Sequence, residues 1–170
     1  MLTGILHLLI IFYQIFYPII IQNSVLGDKI YILFHIILVS NWLLFKGECI
    51  ISYLYKKKYD PNYTMGEKTL DLKDIKDILP FVDEKFILDY FIINTIIASI
   101  LLIWTAIRNK IVNIINLVII LLSFFYVILR ERKFYNKKLY NSIEKLYILD
   151  LFNMIFIILL LYISYKIVLK

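Results

Sequence analysis

An all-α fold, a polytopic bundle of about five membrane-spanning helices, is predicted by three observations. The chain of 170 residues is 62% hydrophobic and only 19% charged, with a mean hydropathy of +0.81, whereas soluble domains are nearer half apolar and a quarter charged. Its apolar residues gather into windows of about twenty residues with almost no charge, the length that crosses ~30 Å of hydrocarbon in a helix. Short, polar, lysine-rich segments separate these windows. A single integral membrane domain over residues 1–170 follows, with a polar cytoplasmic loop at residues 56–85.

The first span is residues 2–21, which lack a basic leader and a small-residue cleavage site, so a retained helix is expected. A turn containing Gly27 and Asp28 leads into the second span, residues 30–55. Lys46, Gly47 and Glu48 interrupt that span, but the apolar pattern continues through Cys49 to Tyr55. In the polar loop, Leu72, Ile75, Ile78 and Leu79 recur at helical spacing opposite Lys73, Asp74, Lys76 and Asp77. They predict a short amphipathic helix near residues 70–79, ended by Pro80. Residues 86–107 and 111–129 form the third and fourth spans. Only Arg108, Asn109 and Lys110 separate them, which forces an antiparallel hairpin. A basic stretch at 130–145 precedes the fifth span, residues 146–165.

Orientation follows from the basic residues. The 56–85 loop holds seven Lys and the 130–145 stretch six Lys and Arg, against five on the opposite side. Basic residues accumulate in cytoplasmic loops, so the N-terminus is expected in the cytoplasm and the C-terminus across the membrane. The same rule accounts for the formal charge of +6 without nucleic acid. The Asn62-Tyr63-Thr64 sequon would then lie where it is not glycosylated.

Polar residues inside the spans are expected to face other helices, where unpaired polar groups are costly. His7, Gln14, His35, Asn41, Asn116 and Asn153 are the main members of this set. Glu48, Asp89 and Asp150 enter the membrane from the same inner side on three spans, so they form a candidate cation or proton site. Anchoring of each carboxylate at its own helix end is the competing reading.

Other chemistries lack their residues. His7 and His35 lie at different depths and cannot ligate one haem iron, and two histidines with one cysteine do not make a zinc site. Cys49 reads as a small buried side chain. No nucleophile–base pair is visible, nor G-x-S-x-G, H-E-x-x-H or a Gly-rich phosphate loop. No metal, cofactor or catalytic residue is therefore expected.

The segment from Asn41 to Leu54, with Trp42 preceding Glu48-Cys49 and the basic run Lys56 to Lys58 after it, resembles a segment in small multi-pass membrane proteins of large DNA viruses. The richness in Ile, Lys, Asn and Tyr fits an AT-rich source. The resemblance implies a viral membrane protein and supplies no activity. The expected role is non-enzymatic: membrane organisation or a subunit of a membrane complex. A small cation or proton channel or carrier is the alternative. The expected partners are the lipid bilayer and other membrane subunits or a second copy of the chain.

Overall fold

A computed structural model describes residues 2–22, 24–67, 73–134 and 148–169. Its described elements are α1 (Leu2–Ile20), α2 (Val25–Leu44), α3 (Ile50–Tyr59), α4 (Lys73–Lys76), α5 (Glu84–Arg108), α6 (Ile114–Phe134) and α7 (Ile148–Leu169), with no strand among the described residues. Four helical stretches are long and apolar enough to cross a membrane: Leu2–Ile20, Val25–Leu44, Asp89–Arg108 and Asp150–Leu169. The expected span at 111–129 falls short of that measure. Its apolar stretch is Ile114–Ile128, because Asn113 starts the helix late and Arg130 soon follows in sequence. Asn113 accepts the Asn116 backbone N–H at 2.8 Å, which satisfies one of the first-turn donors.

The expected span at 30–55 is corrected more deeply. α2 starts earlier, at Val25, because the Ser24 hydroxyl accepts the Gly27 N–H at 3.1 Å. It ends at Leu44, where Lys46 (φ 55) and Gly47 (φ 87) turn left-handed. The Gly47 N–H reaches back to the Trp42 carbonyl at 2.6 Å, the six-to-one bond of a Schellman cap. A separate helix, α3, then begins at Ile50, whose N–H is taken by the Asn41 side chain at 3.1 Å. The α5–α6 turn repeats the device. Lys110 is left-handed (φ 49), and the Ile111 N–H closes on the Ala106 carbonyl at 3.2 Å. Hydropathy alone does not register a left-handed residue, so the break in residues 30–55 was invisible to it.

α2 is the centre of the bundle. It packs against α7, α6, α5 and α1, and its buried face (Tyr31, Ile32, Ile36, Val39, Leu43) forms one core with residues of α5, α6 and α7. The chain's two alanines, Ala98 and Ala106, are both buried on α5 beside Leu102. Small side chains two turns apart on one face let helices approach closely. Large apolar residues such as Leu9, Phe12, Ile37, Ile100, Phe125 and Leu161 point outward, the arrangement a bilayer accepts and water does not.

Several polar groups find specific partners within this apolar frame, while buried atoms such as Asn94 Oδ1 and Asn153 Oδ1 have none. Pro18 lies inside α1 and brings no N–H to the Gln14 carbonyl one turn back. The fully buried Tyr31 donates its hydroxyl to that carbonyl instead, at 2.6 Å. At the end of α1, Arg108 donates to the Pro18 and Ile21 carbonyls at 3.0 and 2.9 Å. The same guanidinium pairs with buried Asp28, which also accepts from Asn109 at 2.7 Å and Tyr17 at 3.2 Å. One ion pair thus ties the α1–α2 turn to the α5–α6 turn.

Tyr31→Phe should leave the Gln14 carbonyl buried and unpaired, costing about 1–3 kcal/mol. In a Pro18→Ala background the new N–H serves that carbonyl, so the cost should fall by half or more. Unfolding in mixed micelles measures both; equal costs in the two backgrounds would refute the substitution of hydroxyl for amide.

Candidate functional site: a cysteine, histidine and aspartate at one end of the bundle

At the end opposite the Asp28–Arg108 pair, three side chains far apart in sequence line up. The His7 Nε2 lies 3.1 Å from the Cys49 sulfur, and its Nδ1 lies 2.5 Å from Asp74 Oδ2. A carboxylate only accepts, so Nδ1 carries the hydrogen, and Nε2 faces the thiol as its proton acceptor. His7 and Asp74 are buried, whereas Cys49 is half-buried and therefore reachable.

Each residue is placed by a local cause. His7 belongs to the buried stripe of α1, Gly4, His7, Ile11, Gln14 and Pro18, whose three- and four-residue steps keep it on one face. Gly4 makes room for α4: a Cβ there would stand 2.2 Å from the Asp74 carbonyl oxygen and 2.6 Å from Ile78 Cδ1. Close approach of α4 to α1 carries the Asp74 carboxylate to His7. Ile75, next to it, is buried and anchors that turn. Tyr55 of α3 donates to Asp77 just beyond α4, so α3 and α4 are held together. Cys49 is the residue immediately before α3 (φ −70, ψ 132), where the broken end of α2 delivers it.

Glu48 locks the neighbouring position. It is fully buried, and its Oε1 accepts from Lys56 Nζ at 2.8 Å and the Tyr63 hydroxyl at 2.9 Å. Its Oε2 accepts the Gly66 N–H at 3.1 Å. Gly66 is left-handed (φ 81) and packs on Lys46. The polar loop is thereby folded back over the α2–α3 junction, and the residue before Cys49 is held by three donors.

The electrostatics favour an ionised sulfur. Burial opposes the thiolate, but the hydrogen bond to His7 and the charge the ring gains on taking the thiol proton outweigh it, aided by the Ile51 and Ser52 amides, and the Cys49 pKa is held below its ordinary value. Those amides act from the first turn of α3 without forming a regular side-chain cap. A thiolate is the nucleophilic form of cysteine, and helix N-termini and histidine are the usual means of stabilising it.

The residues expected from sequence are distributed differently. Glu48 is enclosed by its loop, while Asp89 and Asp150 are exposed on α5 and α7. Among the described residues no group of three or more His, Cys, Asp or Glu is arranged to hold a metal ion, so the structure does not bring these carboxylates into one. Gln14 accepts from Asn94 Nδ2 at 3.2 Å between α1 and α5. His35 is fully buried and donates Nδ1–H to the Tyr31 carbonyl at 3.0 Å. Asn41 caps α3 as described, Asn116 is half-buried on α6, and Asn153 is buried on α7. The hydroxyls of Ser123 and Ser164 bond carbonyls four residues back in their own helices.

Asp74 was assigned to the polar face of a helix near 70–79, yet it is 1% exposed and turned inward. Of that helix, Lys73–Lys76 is observed, and residues 70–72 lie outside the described residues, as do 135–147 of the basic stretch. No spacing in the sequence relates Cys49 to His7. The one local signal for the site was Gly4 three residues before His7, a small residue on the polar stripe. Comparison with protein-family models, curated proteins and solved structures finds no match.

The alkylation rate of Cys49 by iodoacetamide, followed against pH, should fall only below the range of an ordinary thiol, whose pKa is ~8.5. His7→Gln should move the midpoint upward. Gly4→Ala, which forces the Asp74 carbonyl away, should move it in the same direction by a smaller amount. Coincident profiles for wild type and both variants would show that the three side chains do not act together.

Proposed function

We propose that this chain is a multi-pass integral membrane protein that uses Cys49 as the nucleophile of an acyl-transfer or hydrolytic reaction at the cytoplasmic boundary of the membrane. The single observation that carries this reading is the Cys49–His7–Asp74 chain, with contacts of 3.1 and 2.5 Å. It contains a nucleophile, a base within hydrogen-bond reach and a carboxylate that orients the base. Supporting it, Cys49 is half-buried as a residue and sits directly before a helix.

The reaction follows from these roles. His7 Nε2 takes the thiol proton, and the sulfur attacks a carbonyl carbon of the substrate. The leaving group departs with the proton from Nε2, and the acyl group stays on Cys49 as a thioester. Water or another acceptor then attacks the thioester, giving its proton to His7 and restoring the thiol. Asp74 holds the ring in the tautomer that both steps need.

The membrane placement rests on the four long apolar helices and on the outward-facing apolar side chains. A five-span bundle, with α6 packed in the core as the fourth span, puts the start of α1, the end of α2, α4 and the start of α5 on one side. The excess of basic residues assigns that side to the cytoplasm.

A second reading, a non-enzymatic subunit or organiser of a membrane complex, is favoured by the fact that the same contacts fasten α1, α3 and α4 together. A cation or proton pathway through Glu48, Asp89 and Asp150 ranks below both, since both Glu48 oxygens already accept protein hydrogen bonds.

Incubation of the full chain in micelles with a p-nitrophenyl ester separates the first two readings. Wild type should release a burst of nitrophenolate with one acyl group on Cys49 by mass spectrometry. Cys49→Ala should abolish the adduct, and His7→Gln should slow its formation by about 10²–10⁴-fold. An adduct forming equally fast in His7→Gln, or none at all, would leave the structural role.

A further inference from the structure

We infer that the acyl donor is an amphiphile, a long hydrocarbon chain joined through an ester or thioester carbonyl to a phosphate-bearing head. This inference rests on the proposed role of Cys49 and names its substrate class.

The surroundings of the sulfur differ sharply on its two sides. Toward the bundle, the outward residues near His7 on α1 are Ile5, Leu6 and Leu9, and Leu44 ends α2 with its side chain exposed. Leu54 is likewise exposed on α3. Toward the polar side, Lys46, Lys57, Lys58 and Lys73 are all exposed. Lys46 lies three residues before Cys49, Lys57 and Lys58 lie in the last turn of α3, and Lys73 adjoins Asp74 and rests over the Tyr59 ring at 4.8 Å.

The acidic groups nearby offset only part of this charge. Glu48 is paired with Lys56, and Asp74 is engaged by His7. Asp77, Glu67 and Asp60 accept only from the neutral donors Tyr55, Thr64 and the Asn62 N–H and keep their charge, three against the four exposed lysines. In the chain, the nucleophile therefore lies on the line between segments with exposed apolar side chains and segments with exposed lysines.

An amphiphilic ester or thioester matches that line in order. Its chain remains in hydrocarbon, its carbonyl lies at the apolar–polar boundary, and its phosphate meets the lysines. Each lysine near a membrane surface favours an anionic head, and each buried methylene favours keeping the chain in hydrocarbon. A short, water-soluble acyl donor has the second match missing. The thiolate attacks the carbonyl carbon, the carbon–oxygen or carbon–sulfur bond of the donor breaks, and the head leaves with the proton that His7 had taken. No oxidant or reductant is required.

The test uses the full chain in phosphatidylcholine vesicles. One arm adds an alkyne-tagged palmitoyl thioester of coenzyme A, and a second places an alkyne-tagged phosphatidylglycerol in the vesicles. A third adds acetyl-coenzyme A, and a fourth adds iodoacetamide to report the thiol alone. The expected result is hydroxylamine-sensitive acylation of Cys49 by at least one long-chain donor, about tenfold or more faster than by the acetyl donor. The arm that labels identifies a soluble thioester or a membrane lipid as the source.

The variant Lys46→Asn/Lys73→Gln, in which Asn preserves the left-handed turn, should lower long-chain acylation about tenfold relative to its own iodoacetamide rate. If iodoacetamide reacts with His7-dependent speed but long-chain donors label no faster than acetyl, the substrate class is wrong and the thiol site stands. If the iodoacetamide reaction is itself independent of His7, the thiol site falls.

Discussion

A helix bundle whose outer surface is apolar has almost nowhere to keep a charge, and that scarcity governs this structure. Among the described residues, the buried polar groups between the two ends of the bundle include no carboxylate, lysine or arginine, and several hydroxyls turn back on their own helices. The buried carboxylates, Asp28, Glu48 and Asp74, are at the ends, each with a hydrogen-bonding partner on another segment. An unpaired charge in such surroundings would be expensive, so each pairing also dictates which segments meet. The Asp28–Arg108 pair joins two turns at one end. At the other, Glu48 gathers the polar loop and Asp74 gathers α4 onto α1.

The two ends differ in what their polar groups leave over. Around Asp28, donors from Arg108, Asn109 and Tyr17 converge on one carboxylate, and the arginine's other N–H groups finish the end of α1. Everything there is directed inward. At the Cys49 end the last member of the hydrogen-bonded chain is the thiol of a half-buried residue, and no further protein contact on it is needed to satisfy the histidine. A rigid scaffold that presents one reactive atom at its edge is the arrangement a catalytic group needs, with supporting side chains held by packing. The left-handed Lys46, a conformation that costs a non-glycine residue about 1 kcal/mol, belongs to the same assembly. It stops α2 where Glu48 can be enclosed and Cys49 can precede a new helix.

Much of the fold was legible because bilayer dimensions translate directly into sequence. A window of apolar residues long enough to cross is visible without any knowledge of its neighbours, and residues 2–21 and 86–107 correspond closely to α1 and α5. The hairpin turn at Arg108 to Lys110 was visible for the same reason: three residues leave one geometry. The break at Lys46-Gly47 was read as a polar interruption, since hydropathy averages over a window and a φ angle belongs to one residue. The candidate site was read from charge inside spans, which drew attention to Glu48, Asp89 and Asp150. Charge in a span signals that a partner exists, but not which one, and Glu48 found its partners in the adjacent loop.

His7 and Cys49 are separated by 42 residues and His7 and Asp74 by 67, and nothing in the spacing of three such residues relates them. By itself the sequence determined that this chain forms apolar helices of membrane-crossing length, which of its segments are polar, and that His7 and Gln14 of α1 face other helices. Those properties depend on local composition and on the 3.6-residue period of a helix. Tertiary structure alone decided that Asp74 turns inward, that α2 stops before Cys49, and that a thiol, an imidazole and a carboxylate meet. Such contacts depend on how closely whole helices approach, and here that distance is set by the missing side chain of Gly4.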